Sequence, residues 1–114
     1  MIKAIRRFIE RGRKGYCSED LWEWDYFFSE LIARSLRDFR QNVHSYPTDF
    51  VTFEDWLKTL DEMVDCFEEQ TRSDSDVKIN NDYMKRIKKR QEYKAQKLHH
   101  GLELLERFYY DLWD

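Results

Sequence analysis

The chain has 114 residues, 38% of them charged and 17% aromatic, with 3 Gly, 1 Pro and a formal net charge of −3. That length allows one domain around one core and is too short for a two-domain enzyme, while the scarcity of Gly and Pro points to helices. No apolar run approaches the ~20 residues of a membrane span, and no charged segment leads into an apolar stretch with a small-residue cleavage site. A single helical domain over residues 1–114, intracellular and without a membrane partner, is therefore expected.

The first predicted helix, about Ile2 to Arg11, carries Ile5, Phe8 and Ile9 on one side and ends in the loop Arg11-Gly12-Arg13-Lys14-Gly15. Two glycines and three cations just ahead of a helix N-terminus suggest an anion cradle, although the GxxxxGK[ST] spacing of a P-loop is absent. A plain helix-to-helix turn with solvated charges is the simpler reading.

Cys17 or Ser18 can cap a second helix drawn through Glu19 to Asn42, with Glu19 and Asp20 complementing its dipole. Leu21, Trp24, Phe28, Ile32, Leu36, Phe39 and Val43 then fall within about 60° of one line, and Asp25 lies about 40° from Leu21. A carboxylate inside such a stripe must find a donor, since an unpaired buried charge costs several kcal/mol. Trp22 and Tyr26 lie on the flank, to pack on the first helix or line a groove. Arg34, Arg37 and Arg40 mark the wet face.

His44 to Asp49 reads as a turn because Pro47 disfavours helix at Tyr46; His44, Tyr46 and Pro47 form there either a rigid corner or a polar and aromatic cluster. Thr52 can cap the third helix with Asp55 at N3. That helix has the cleanest pattern: Phe53, Trp56, Leu57, Leu60, Met63, Val64 and Phe67 on one face, and acidic residues on the other. Trp24, Phe28, Trp56, Phe67 and Phe108 are most simply core. The stretch Thr71 to Asp76 reads as a mobile linker.

After it, about Ile79 to Leu112 forms one long helix, on the order of 50 Å. Its stripe of Met84, Ile87, Leu98, Leu102, Leu105, Tyr109 and Leu112 is interrupted by Gln91 and Lys94, and Gly101 permits a close helix contact or a bend. The fold expected is all-α: a compact bundle of about four helices whose long C-terminal helix protrudes or kinks, and a homo-oligomer joined through that helix.

The net charge hides segregation. Residues 1–15 hold six basic residues against Glu10, residues 16–77 hold 16 acidic against 5 basic, and residues 85–97 hold seven basic against Glu92. The cations of 85–97 surround the helix instead of forming one reading face, and the chain is acidic overall, so charge pairing is preferred to nucleic-acid binding. His99 and Glu103 share a face, but no His or Cys cluster supports a metal site. Cys17 and Cys66 lack CxxC spacing and read as ordinary thiols in a reducing compartment. No GxSxG elbow is present, so no catalytic residue, metal or cofactor is assigned.

Four spaced segments resemble motifs of a family of small phage-encoded proteins. They are Gly15-Tyr16-Cys17-Ser18-Glu19-Asp20-Leu21-Trp22-Glu23-Trp24-Asp25-Tyr26-Phe27-Phe28, His44-Ser45-Tyr46-Pro47, Trp56 to Met63 (WLKTLDEM), and Leu112-Trp113-Asp114. The match covers most of the chain outside the basic stretch of the last helix; Cys17 stands where that family has serine. The resemblance implies a phage context and no activity. In that context the leading expectation is a non-enzymatic counter-defence protein of the host cytoplasm that sequesters a nucleotide-derived immune signal. Arg11, Arg13 and Lys14 would hold phosphates, Trp22 and Tyr46 would stack on bases, and Asp25 and His44 would orient the ligand. The alternatives are an inhibitor of a host protein whose acidic third helix docks or mimics nucleic acid, and a replication or virion accessory protein.

Overall fold

The computed structural model describes residues 2–75 and 77–114. Among them the chain is all-α: α1 (Ile2–Lys14), α2 (Trp24–Asn42), α3 (Phe53–Glu69) and α4 (Tyr83–Phe108), with 3₁₀ turns at Ser18–Leu21 and Tyr109–Asp111. α3 lies between α2 and α4, giving a slab with Cα extents of 49 × 44 × 19 Å. The radius of gyration is 17.4 Å, against about 13 Å for a sphere-like chain of this length. α1 and the first turns of α4 stand off the body and account for the difference.

α3 organises the core because its sequence is the most regular. The Thr52 hydroxyl accepts from the Asp55 N–H at 3.1 Å, satisfying one of the helix's orphan donors. Trp56, Leu60, Met63 and Phe67 are fully buried. Each such side chain contributes roughly 1.5–3 kcal/mol. Leu36 from α2, Val43 just past its end and Phe108 from α4 close over them, and the rings of Phe50, Trp56 and Phe108 pack mutually at 5.2–5.5 Å. Gly101 is the closest point of α3 and α4: a Cβ there would sit 2.8 Å from the Cys66 Cβ. Gly101 thus makes a close contact within the chain.

The acidic flanks of α3 are met from both sides. Arg40 Nε donates to Asp61 at 2.9 Å and Arg37 pairs with Glu68, both from α2. Lys97 Nζ donates to Asp65 at 2.8 Å, and His100 Nε2 lies 2.8 Å from Glu62, both from α4. Arg37 and Arg40 therefore bridge to α3 and do not form a purely wet face. The segment after α3 is also tied down. Lys94 Nζ donates to the Arg72 carbonyl at 2.6 Å, Arg90 Nη2 to the Ser73 carbonyl at 2.9 Å, and Arg90 Nε to Asp74 at 2.6 Å. Thr71 to Asp74 is thus clamped against α4 where a mobile linker was expected; Asp76 lies outside the described residues.

Other expectations are corrected. α1 runs through Gly12 to Lys14, and Gly15 ends it in the left-handed region (φ 84°), its N–H donating to the Arg11 carbonyl at 2.9 Å. The glycine-bounded loop is mostly helix. The second helix does not begin at Glu19: Glu23 (φ −131°, ψ 62°) breaks it and resets its phase. Leu21 consequently leaves the stripe and is exposed; Trp24, in the first turn of α2, is half exposed although it stacks on Phe28 at 5.1 Å, while Phe28, Ile32, Leu36, Phe39 and Val43 stay inward. On α4 the inward side runs through Ile87, Lys94, Gly101, Leu104 and Phe108, and Met84, Leu102 and Tyr109 of the expected stripe are exposed.

Candidate functional site

α1 and the 3₁₀ turn that follows it are joined through charge. Arg6 Nη2 donates to both Glu19 oxygens at 2.8 Å, Arg7 also pairs with Glu19, and Arg11 Nη2 donates to Asp20 at 2.8 Å. Asp20 in turn accepts from the Cys17 N–H at 2.8 Å, and Glu10 accepts from the Ser18 N–H at 2.8 Å. These donors stabilise the ionised forms. The Arg6 and Arg7 guanidinium groups hold Glu19 down to about 2. Arg11 and the Cys17 N–H hold Asp20 well below the usual carboxylate range, and Asp20 raises Arg11 in return.

Residues Arg6, Arg7, Glu10 and Arg11 occupy one half of the α1 surface, so the opposite half points away from the body. That outward half holds the apolar residues: Ile2 is 85% exposed, Phe8 80%, Ile5 54% and Ile9 51%. An amphipathic helix in a globule normally buries this side. Here the charged side docks and the apolar side faces water. Arg13, Lys3 and Lys14 have no acidic partner among the described residues.

The sequence-derived binding residues do not gather. Arg11 is engaged by Asp20, and Arg13 and Lys14 lie in the last turn of α1. Trp22 is 79% exposed at the end of the 3₁₀ turn. Asp25 is exposed, with no partner among the described residues: it sits in the first turn of α2, and the buried positions of that helix begin only at Ser29; the buried, paired carboxylate expected there is corrected. His44 lies 19 residues further along, about 28 Å away at the helical rise, so Asp25 and His44 sit at opposite ends of α2.

His44 has a different partner. Its N–H donates to an Asp114 carboxylate oxygen at 3.0 Å, its Nδ1 lies 2.8 Å from the other oxygen, and Ser45 Oγ donates at 3.1 Å. The His44 ring and its N–H lower Asp114 below its ordinary value. Tyr46 packs on Phe53 at 6.1 Å and, with Ser45, Pro47, Asp111 and Trp113, lines a hollow of only about 80 Å³. This end is a latched corner built from two segments that the resemblance also picks out.

A cleft of about 460 Å³ lies between the end of α1, the 3₁₀ turn and α2 and is lined by Arg11, Asp20, Phe27, Glu30, Leu31 and Arg34 among others. Arg34 Nη1 donates to Glu30 at 3.0 Å, so both cleft arginines already face carboxylates. Among the described residues no three His, Cys, Asp or Glu side chains group as metal ligands, and no helix is long and apolar enough to cross a membrane. His99 and Glu103 form an exposed pair at 2.8 Å. Cys17 and Cys66 are buried free thiols, and burial pushes Cys66 up.

No family model, curated protein or solved structure matches the chain.

Proposed function

We propose that this chain acts by binding, without catalysis, and that α1 is its docking element for a protein partner presenting an apolar groove with an acidic rim. The orientation of α1 carries this reading. Its charged side is spent on Glu19 and Asp20, which leaves Ile2, Ile5, Phe8 and Ile9 in water. Covering that surface gains ~25 cal/mol per Å², and helix-in-groove recognition uses anchors at this i, i+3, i+4 spacing. Arg13, beside Ile2 and Ile9 around the helix, fits an acidic rim group on the partner. With the phage context that the resemblance implies, the partner is a host protein, the setting is the host cytoplasm and the role is counter-defence by occlusion. Asp61, Glu62, Asp65 and Glu68 of α3 are engaged by α2 and α4, which moves the docking surface from α3 to α1. Self-association through α4 belongs to the same reading, since α3 separates α4 from α2.

Sequestration of a nucleotide-derived signal stands second, favoured by the cleft that places Arg11 and Arg34 beside Phe27. An anion entering there must displace Asp20 and Glu30 from those arginines. The two readings separate experimentally. Host proteins retained by the wild type are compared with those retained by Phe8→Asp and by Arg34→Ala. A partner lost only with Phe8→Asp, bound in purified form and giving hydrogen-exchange protection over residues 2–14, supports docking through α1. Retention by Phe8→Asp, or a thermal shift with cyclic oligonucleotides that Arg34→Ala removes, overturns it.

A further inference from the structure

We propose that α4 pairs antiparallel with α4 of a second copy, in a register set by its own charges; the proposal rests on the reading that α4 joins two copies. α3 covers only the later part of α4. Lys97 faces Asp65, His100 faces Glu62 and Phe108 reaches Trp56, while Lys94 is already level with Gln70, one residue past the end of α3. The first three turns of α4 therefore extend beyond α3.

Roughly 90° around α4 from the side that α3 covers, a second apolar line runs along the helix. Met84 is 75% exposed, Tyr109 62% and Leu102 44%, with Ala95 exposed and Leu98 and Leu105 half-buried. The steps from Leu98 through Leu102 and Leu105 to Tyr109 are four, three and four residues, the a/d spacing of a two-helix seam. Continued backwards, the same spacing passes through Ala95, Gln91, Lys88 and Met84. The leucines lie at one end of this line and the polar positions at the other. A parallel pair would oppose polar to polar, whereas an antiparallel pair lays each copy's leucines over the other's weak half.

The flanking charges make the same choice. The positions following the d residues are Lys85, Glu92, His99 and Glu106. These positions meet their own kind across an antiparallel seam and set partner and orientation. With Ala95 opposite Leu98 of the second copy, Lys85 falls opposite Glu106 and Glu92 opposite His99, each twice by the two-fold axis. Lys85, Glu92 and Glu106 have no ion-pair partner within the chain among the described residues, and His99 spans only to the exposed Glu103. At 26 residues α4 is about 39 Å long, enough to carry a stable interface.

Light scattering on the full chain tests this, with the monomer at 14.2 kDa. The wild type is expected at twice that mass, and Leu102→Asp as a monomer. Lys85→Glu alone and Glu106→Lys alone should each raise the dimer Kd about tenfold, since each turns two attractions into repulsions. The double variant Lys85→Glu/Glu106→Lys should return to the wild-type Kd. A wild-type monomer at high micromolar concentration overturns the joining of copies through α4. A dimer that Leu102→Asp breaks, but whose charge variants are unchanged or whose double variant is not rescued, overturns the antiparallel register alone.

Discussion

Gly101→Ala probes the tightest point of the fold. The new methyl would lie 2.8 Å from the Cys66 Cβ, 3.2 Å from Phe67 Cε2 and 3.5 Å from Phe67 Cζ. A Cβ cannot rotate away, and Phe67 is fully buried, so α3 and α4 must separate by several tenths of an ångström. Overpacking of this kind costs typically about 1–3 kcal/mol, and a clash with a fixed atom belongs near ~3. Replacing glycine inside a helix returns about 1 kcal/mol. The net expectation is about 2 kcal/mol lost, read as a fall in urea midpoint at constant slope. Gly12→Ala is the control, because nothing lies within 4 Å of a Cβ there; it should leave the global transition unchanged or slightly raised. A Gly101→Ala variant as stable as the wild type would refute the close approach of α3 and α4.

Three further outcomes follow from the same geometry. Glu19 and Asp20 are lowered from ordinary values of 4.5 and 3.8 by the arginines of α1, so their contribution is present above those values and lost as pH falls toward their folded values. Proteolysis at the α1 junction should therefore rise between pH ~4.5 and about 2 before the body unfolds; simultaneous loss of both would show that α1 is held otherwise. Asp25→Ala should change stability by less than ~0.5 kcal/mol, as for exposed sites without partners, and a thermal melt lowered by many degrees would restore the buried-carboxylate reading. Thr52→Ala should remove about 1 kcal/mol through the lost cap, measured by urea unfolding, with no change meaning that the Asp55 N–H finds another acceptor.

α3 was legible in the sequence because its signals are local: a threonine cap and an unbroken 3.6-residue stripe. The start of α2 was not, since the break at Glu23 follows from the 3₁₀ turn that holds Glu19 and Asp20 against arginines of a different helix. The leucine line of α4 drew attention to the wrong side. Its buried side passes through Gly101, which carries no hydropathy signal, and through Lys94 and Lys97, whose stems pack while their ammonium groups reach the Arg72 carbonyl and Asp65. Periodicity found the apolar side of α1 but is silent on which way that side faces. The seven proposed ligand residues were chosen by type and not by position, and α2 holds Asp25 and His44 apart. The Asp114 partner of His44 lies 70 residues away, with no local signal to announce it.

The central claim is that α1 holds its apolar side in water while its charged side docks. Isoleucine δ1-methyl NMR with a soluble gadolinium chelate tests it directly on the wild-type chain. Ile2, Ile5 and Ile9 should be strongly attenuated, while Ile32, half-buried against the core, is spared. Protection of Ile5 and Ile9 to the level of Ile32 would mean that α1 buries its apolar side, and docking through α1 would fall with it.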